Sequence, residues 1–155
     1  MEQDKTKFAD IDTVRATRGR IIAVDFGDVR TGLAISDESR FLASGIGYIK
    51  VGGLAKTAEE TARIAAERGA VCAAVGLPRN MDGTEGARAD RCREFAAALS
   101  SLASIPVIMV DERLTTVVAA RYLNETDTRG KKRKGVIDTL SAQIILQNLL
   151  DRLKN

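Results

Sequence analysis

The chain has 155 residues, of which 45% are hydrophobic and 29% are charged, and this balance is typical of one globular domain with a single core. It contains no histidine, which excludes histidine-activated nucleophiles and histidine-containing zinc sites and directs attention to Asp and Glu. The formal net charge is +3, and no apolar run approaches the roughly 20 residues of a membrane helix, so we expect a cytoplasmic protein without a membrane partner.

The first half of the chain predicts a flexible tail followed by an antiparallel meander. Residues 1–19 have mixed charge and no apolar period, so we expect a tail there and one domain over residues 20–155. Apolar runs separated by short turns predict strands over residues 21–27, 31–36 and 41–51. Thr57 and Glu60 form a capping-box pattern ahead of a helix that ends near residue 68.

The second half predicts alternating strands and helices. A buried strand is expected over residues 70–78, a helix capped by Asp82 and Glu85 as far as about residue 102, and another strand over 105–111. A helix from Thr115 or Thr116 to about residue 124 and a closing helix over 136–153 complete the chain. The predicted fold is therefore α/β, a mixed five-stranded sheet in which three strands form the meander, with helices on both faces.

Acidic residues follow two of the apolar runs and begin the last helix. Asp25 ends the first strand, Asp111 and Glu112 close the last strand, and Asp138 lies four residues before Ala142 on the apolar face of the closing helix. Each has an ordinary structural alternative: an Asx turn for Asp25, or a favourable charge at a helix N-terminus for the others. Their joint occurrence favours a common site.

Carboxylates that converge at one end of a sheet repel each other unless cations lie among them. Oxygen ligands without His or Cys are typical of Mg²⁺ or Mn²⁺, and two such ions can support the displacement of a phosphodiester. The sequence therefore predicts a two-metal site.

Basic residues are concentrated in the segment RGKKRK, residues 129–134. It holds five of the 24 basic residues. The rest of the chain has 19 basic and 21 acidic residues, so the net positive charge of the protein comes from this segment. We predict a loop in which Lys131, Lys132, Arg133 and Lys134 bind the phosphates of a nucleic acid, the alternative being a solvated loop.

Four blocks of sequence closely resemble the YqgF/RuvX family and occur in its order: VDFGDVRTGLAISD at 24–37, VGLPRNMDGTEG at 75–86, VDERLTT at 110–116 and KGVIDTLSAQIIL at 134–146. The resemblance covers residues 20–151. It implies an RNase H-like fold related to the RuvC Holliday junction resolvases, and a nuclease that trims the 5′ end of pre-16S rRNA during ribosome maturation.

Residue by residue, the resemblance implies catalytic roles for Asp25, for Asp111 or Glu112, and for Asp138. Strand alternation leaves the choice within the pair open because both residues lie where the strand ends. We favour Glu112, so the expected metal ligands are Asp25, Glu112 and Asp138.

Two arginines within the resembling blocks, Arg30 and Arg113, are expected to contact phosphates, or else to form structural ion pairs with the site carboxylates. The loop with Asn80, Asp82 and Gly83 should lie beside the site because it also follows a strand.

Three functions fit these features. The leading one is a metal-dependent nuclease that acts on RNA and associates with ribosomal particles, as a monomer or a homodimer. The second is a resolvase of branched DNA, and the third is a nucleic-acid-binding ribosome assembly factor without catalytic activity. An ATPase of the actin-like type is excluded because such proteins need two lobes.

Overall fold

The computed structural model describes residues 8–112 and 130–154, and within the last helix it describes side chains from residue 139 onwards. In this part of the chain there are four helices and five strands. In chain order they are α1 (Ile11–Ala16), β1 (Arg20–Asp25), β2 (Thr31–Ser36), β3 (Ala43–Ile49), α2 (Leu54–Glu67), β4 (Ala70–Leu77), α3 (Ala87–Ala103), β5 (Val107–Asp111) and α4 (Gly130–Leu153).

The five strands form one mixed sheet in the order β3-β2-β1-β4-β5. Strands β1, β2 and β3 pair antiparallel, as the short turns between them require, whereas β4 and β5 join β1 in parallel through the helical crossovers α2 and α3. The predicted mixed sheet is thus confirmed. Since parallel strands run in one direction, β1, β4 and β5 all end at the same edge of the sheet.

Each face of the sheet has its own core. The core beneath α2 and α3 contains Ile22, Val24, Phe26, Val75, Ala58, Ala65, Phe95 and Leu99. The core beneath α1 and α4 contains Ile21, Ala23, Ala74, Val110, Val14, Ala142, Ile145 and Leu149. Successive strand residues point to opposite faces, so Asp25 follows Ile21 and Ala23 on the side of α4. This alternation decides which carboxylates can meet.

Residues 8–19 correct the expectation of a flexible tail. They contain helix α1, whose N-terminus is capped by the Asp10 carboxylate accepting from the Thr13 amide at 2.8 Å, and whose Val14 is fully buried. The Arg40 side chain donates to the Val14 carbonyl at 3.0 Å and to the Gly19 carbonyl at 2.6 Å. A helix of six residues with one buried side chain has no apolar period to detect, and its partners lie far along the chain.

Two predicted helix caps are wrong. Helix α2 begins three residues before Thr57, with Gly53 at its N-cap, and the Thr57 hydroxyl donates to the Gly53 carbonyl at 2.8 Å. Helix α3 begins at Ala87, whereas Asp82 accepts from the Thr84 amide at 3.0 Å inside the preceding loop. Thr57 therefore bonds back to the N-cap carbonyl from within α2, and Asp82 stabilises a turn in the loop before α3.

The basic segment also differs from its prediction. Residues 130–134 belong to the first turns of α4, which begins six residues earlier than the sequence predicts. Residue 129 and the helix predicted from Thr115 or Thr116 lie outside the described residues. In the part of the chain that the structure describes, no helix is both long and apolar enough to cross a membrane.

Candidate active site

Asp25 lies half-buried at the end of β1, and the turn that follows it is tightly built. The buried Thr31 hydroxyl contacts both the amide and the carbonyl of Gly27 at 3.3 Å. A Cβ at residue 27 would lie 2.4 Å from the Arg30 carbonyl oxygen, so only glycine fits there. The turn therefore fixes the backbone beside Asp25, and it also carries Arg30.

Glu112 follows β5 and extends over the neighbouring strand. Its amide donates to the Leu77 carbonyl at 3.2 Å, so the backbone pairing continues one residue beyond the strand. An added Cβ on Gly76 would lie 2.8 Å from the Glu112 Oε1 atom and 2.7 Å from the Ile145 Cδ1 atom. Because Ile145 belongs to α4, the Glu112 carboxylate lies on the α4 side of the sheet, the side to which Asp25 also points.

Asp111 occupies a different environment. Alternation along β5 turns it away from the face of Val110, and its Oδ2 atom lies 3.8 Å from Arg79 Nη1. Arg79 Nε donates in turn to Glu85 Oε2 at 3.2 Å, and Glu85 is held by Arg93 through two hydrogen bonds of 3.0 Å. Asp111 is therefore part of the ion-pair network that ties the 79–86 loop to α3. We define the acidic edge as Asp25, Asp111 and Glu112 at the ends of β1 and β5.

The electrostatic environment of the Glu112 carboxyl is strongly perturbed. Burial raises the pKa of its carboxyl to about 8, the negative charges of Asp25 and then Asp111 add to the increase, and the Arg88 guanidinium opposes it. The pKa of the buried Cys92 thiol is raised to about 12, chiefly by burial, with Glu112 and Asp25 contributing. Asp25 and Glu112 thus interact as like charges in a poorly solvated site.

The fourth predicted carboxylate, Asp138, lies on the backbone of α4, four residues before Ala142 and seven before Ile145. Its side chain lies outside the described residues, as do those of Lys131, Lys132, Arg133 and Lys134, and Arg113 lies outside them entirely. Of the predicted site residues, the structure therefore brings Asp25 and Glu112 together and places Arg30 in the adjoining turn.

The donor set can be compared with what a hard metal ion requires. Among the side chains that the structure describes, no three Asp, Glu, Cys or His residues form a group able to hold a metal ion. The pair of Asp25 and Glu112 offers only oxygen ligands, and their mutual repulsion would be relieved by a cation between them. The chemistry of Asp25 and Glu112 therefore fits part of a site for a hard divalent cation.

The sequence analysis missed two residues that matter at the acidic edge. Gly76 provides the space into which the Glu112 carboxylate extends, and Arg88 places a positive charge near it. Gly76 carries a weak sequence signal, since glycine inside a strand often marks a close approach of another group. Arg88 carries none, because it is one of several arginines in an ordinary helical sequence.

Comparisons with known proteins agree with this architecture. A family model described as RuvX, Holliday junction resolvase, matches residues 19–152. A protein of Ruminiclostridium cellulolyticum is 42% identical over 135 residues, which cover 86% of this chain and 95% of that protein. A protein of Thermoanaerobacter pseudethanolicus is 45% identical over 137 residues, which cover 88% and 99%. Both bear the name "Putative pre-16S rRNA nuclease".

Solved structures share the fold at low sequence identity. RuvC of T. thermophilus in complex with a Holliday junction substrate gives a TM-score of 0.57 at 12% identity, covering 88% of this chain and 97% of that chain. The fowlpox virus resolvase in complex with Holliday junction DNA gives a TM-score of 0.53 at 12% identity, covering 88% and 99%.

The strand order and the helical layers on both faces define an RNase H-like fold of the resolvase type. The family model and the curated relatives identify a phosphodiester-cleaving hydrolase. The family match and relatives above 40% identity then make the assignment more specific. The chain belongs to the RuvX family.

Proposed function

We propose that this protein is a metal-dependent nuclease that processes the 5′ end of pre-16S rRNA in the cytoplasm, in association with ribosomal particles. The observation that carries the proposal is the convergence of Asp25 and Glu112 on one face of the sheet, where burial and mutual repulsion raise the pKa of Glu112 to about 8. Such a pair is unfavourable without a cation, and a cation at a strand edge suits phosphodiester chemistry. The names of the curated relatives supply the RNA substrate.

The proposed ligands are Asp25, Glu112 and Asp138, holding Mg²⁺ or Mn²⁺, two ions in all. Two bound ions would activate a water molecule and stabilise the leaving oxygen of an in-line displacement. The Gly27 turn holds Asp25, and Gly76 leaves room for Glu112. For Asp138, helical periodicity supports the assignment: Ala142 and Ile145, which follow at helical spacing, are both buried against the sheet.

Binding of the polyanion is assigned to Arg30, Arg113 and the basic segment. Arg30 lies in the turn after β1, and Arg113 directly follows Glu112. The basic segment, with Lys131, Lys132, Arg133 and Lys134, lies one to two turns before Asp138 in the helical backbone. Cations this near to a metal site would hold phosphates over it, and the affinity would depend strongly on salt.

A second candidate function is the resolution of branched DNA. The family description and the shared fold of two resolvases that were solved with Holliday junctions favour it. The chemistry would be the same, and only the shape of the substrate would differ. A non-catalytic role in ribosome assembly is the third candidate, and it leaves the costly proximity of Asp25 and Glu112 unexplained.

The test is a cleavage assay with purified protein, Mg²⁺ or Mn²⁺, and three substrates: precursor rRNA, four-way DNA junctions and linear duplexes. We expect preferential cleavage of the rRNA precursor near its 5′ end, and no cleavage by Asp25→Asn under the same conditions. Preferential cleavage of junctions would establish the resolvase instead. Binding without cleavage of any substrate would favour the assembly factor, and wild-type cleavage by the purified Asp25→Asn variant would show that Asp25 is structural.

A further inference from the structure

Arg88 reaches from α3 to the acidic edge. It is the second residue of α3, and its Nη2 atom donates to the Phe26 carbonyl oxygen at 3.0 Å, directly after Asp25. Its positive charge also acts on Glu112 and on Cys92, lowering the pKa of both groups against the effect of burial. Arg88 thus lies beside the backbone next to Asp25 and also near the Glu112 carboxylate.

The charge of Arg88 is held differently from that of its neighbour on the helix. Among the residues that the structure describes, Arg88 forms no ion pair, and its one hydrogen bond goes to a neutral carbonyl. Arg91, one helical turn later, has two acidic partners, because its guanidinium lies 3.1 Å from Asp28 Oδ1 and 3.5 Å from Glu94 Oε1. A guanidinium has five N–H donors, so Arg88 retains most of its hydrogen-bonding capacity.

We propose that Arg88 binds a phosphate of the nucleic acid beside the scissile bond and positions it against Asp25 and Glu112. The Phe26 carbonyl orients the guanidinium, which reduces the entropy cost when a phosphate binds. Planar guanidinium donors match two phosphate oxygens at once, and an arginine near a carboxylate cluster offsets the repulsion between that cluster and a polyanion. This inference rests on the proposed function and extends it to the interaction that places the substrate.

The experiment compares Arg88→Ala, Arg88→Lys and, as the matched control, Arg91→Ala, which removes the same charge from the same helix face but from an ion-paired side chain. Binding of precursor RNA is measured at several salt concentrations in Ca²⁺ or without metal, and cleavage is measured in single turnovers at saturating enzyme. For Arg88→Ala we expect the salt slope to fall by about 0.7 to 0.9, which corresponds to one phosphate fewer bound by the protein. The cleavage rate should fall by at least roughly tenfold.

Two further results would be specific to phosphate binding. Arg88→Lys should keep the salt slope and recover only part of the rate, since an ammonium keeps the charge but lacks the planar fork. Millimolar guanidinium chloride should raise the rate of Arg88→Ala, and an equal concentration of sodium chloride should not. A role limited to holding the Phe26 backbone would leave the salt slope unchanged.

The proposal is overturned if Arg88→Ala keeps the wild-type salt slope, whatever its cleavage rate, or if Arg91→Ala reduces both slope and rate as much. The binding measurements distinguish failure of this proposal from failure of the proposed function. A wild-type protein that cleaves no substrate contradicts the proposed function, whereas the salt slope still tests phosphate binding by Arg88.

Discussion

At the scale of single residues, the acidic edge depends on small side chains as much as on charged ones. Glu112 could not take its place over β4 if residue 76 had a side chain, because an added Cβ would come within 2.8 Å of its carboxylate and 2.7 Å of Ile145. The same geometry distinguishes the two candidate acids at the end of β5. Glu112 shares a face with Asp25, whereas Asp111 is paired with Arg79.

This distinction predicts unequal effects of Glu112→Gln and Asp111→Asn. We expect Glu112→Gln to lower single-turnover cleavage at least roughly 100-fold, or about 2.7 kcal/mol of transition-state stabilisation, as we also expect for Asp25→Asn. Asp111→Asn should lower it by less than about tenfold, because Asp111 points to the other face of the sheet and its ion pair with Arg79 is long and half-exposed. A greater effect of Asp111→Asn would exchange the roles assigned to the two residues.

Gly76→Ala tests the space beneath Glu112. The new methyl group would displace either the Glu112 carboxylate or the Ile145 side chain, so we expect the free energy of unfolding to fall by about 1–3 kcal/mol together with weaker Mn²⁺ binding. Gly52→Ala is the control, since an added Cβ there meets nothing within 4 Å. Denaturant unfolding and metal titration measure both effects. Equal stability and metal affinity in Gly76→Ala and wild type would show that the carboxylate does not need this space.

The raised pKa of Glu112 predicts that the metal-free protein loses stability as the pH rises. Between the ordinary value of 4.5 and about 8, the folded state holds a proton that the unfolded state has released. The contribution of the Glu112 carboxyl to the free energy of unfolding is therefore fully present below pH 4.5. It falls by up to about 1.4 kcal/mol per pH unit between pH 4.5 and about pH 8.

The measurement is the free energy of unfolding in chelator between about pH 5 and pH 8, for wild type and for Glu112→Gln, which removes the titrating group. The free energy of unfolding of the wild type should decrease relative to that of Glu112→Gln as the pH rises. A difference that stays constant would mean that the carboxyl is not perturbed. Mg²⁺ or Mn²⁺ should restore stability to the wild type at high pH, because a ligand of the folded state favours folding.

At the scale of elements, the positive charge belongs to a helix and not to a loop. Residues 130–134 lie in the first turns of α4, the helix that also carries Asp138 and packs Ile145 onto Gly76. The proposed phosphate-binding residues and the proposed ligand Asp138 thus lie on one helix, and substitutions there must preserve it.

We therefore predict that changing Lys131, Lys132, Arg133 and Lys134 together to Gln, a good helix former, weakens nucleic-acid binding and lowers its salt slope by up to about 0.7 to 0.9 for each phosphate that is no longer bound. Metal affinity should not change, and the single-turnover rate at saturating enzyme should fall much less than the affinity, because these residues contribute uniform binding. Binding isotherms at several salt concentrations, beside single-turnover cleavage, measure these quantities.

The control for this variant changes four exposed basic residues in and beside α2 to Gln: Lys50, Lys56, Arg63 and Arg68. It removes the same charge, so an equal decrease in affinity and slope would indicate a general charge effect rather than binding at α4. An unchanged slope in the α4 variant would show that its basic segment is only solvated.

At the scale of the whole molecule, α1 closes the core at the end of the sheet remote from Asp25. Val14 is fully buried, and the Arg15 side chain donates to the Leu153 and Arg152 carbonyls at the end of α4. The residues expected to be a tail therefore stabilise the helix that carries Asp138.

Val14→Ala should lower the free energy of unfolding by about 1–2 kcal/mol and leave the cleavage rate of the folded protein within about twofold of wild type, because the substitution removes packing in the core and not at the acidic edge. Chemical denaturation and the cleavage assay test the two statements, with the exposed Arg18→Ala as control. A change below about 0.5 kcal/mol would mean that α1 contributes little to the fold.

Local sequence patterns were enough to predict the five strands in order, the helices α2 and α3 between them, the closing helix, the mixed sheet and the acidic residues at the ends of β1 and β5, because these follow from apolar period, turn residues and short connections along the chain. Four features are visible only in the folded chain: Glu112 and Asp25 share a face, Gly76 leaves room for Glu112, α1 is part of the core, and Arg88 reaches the acidic edge. Each of these depends on residues distant in sequence meeting across β1, β4, β5 and α4, and local patterns do not contain the register of such pairings.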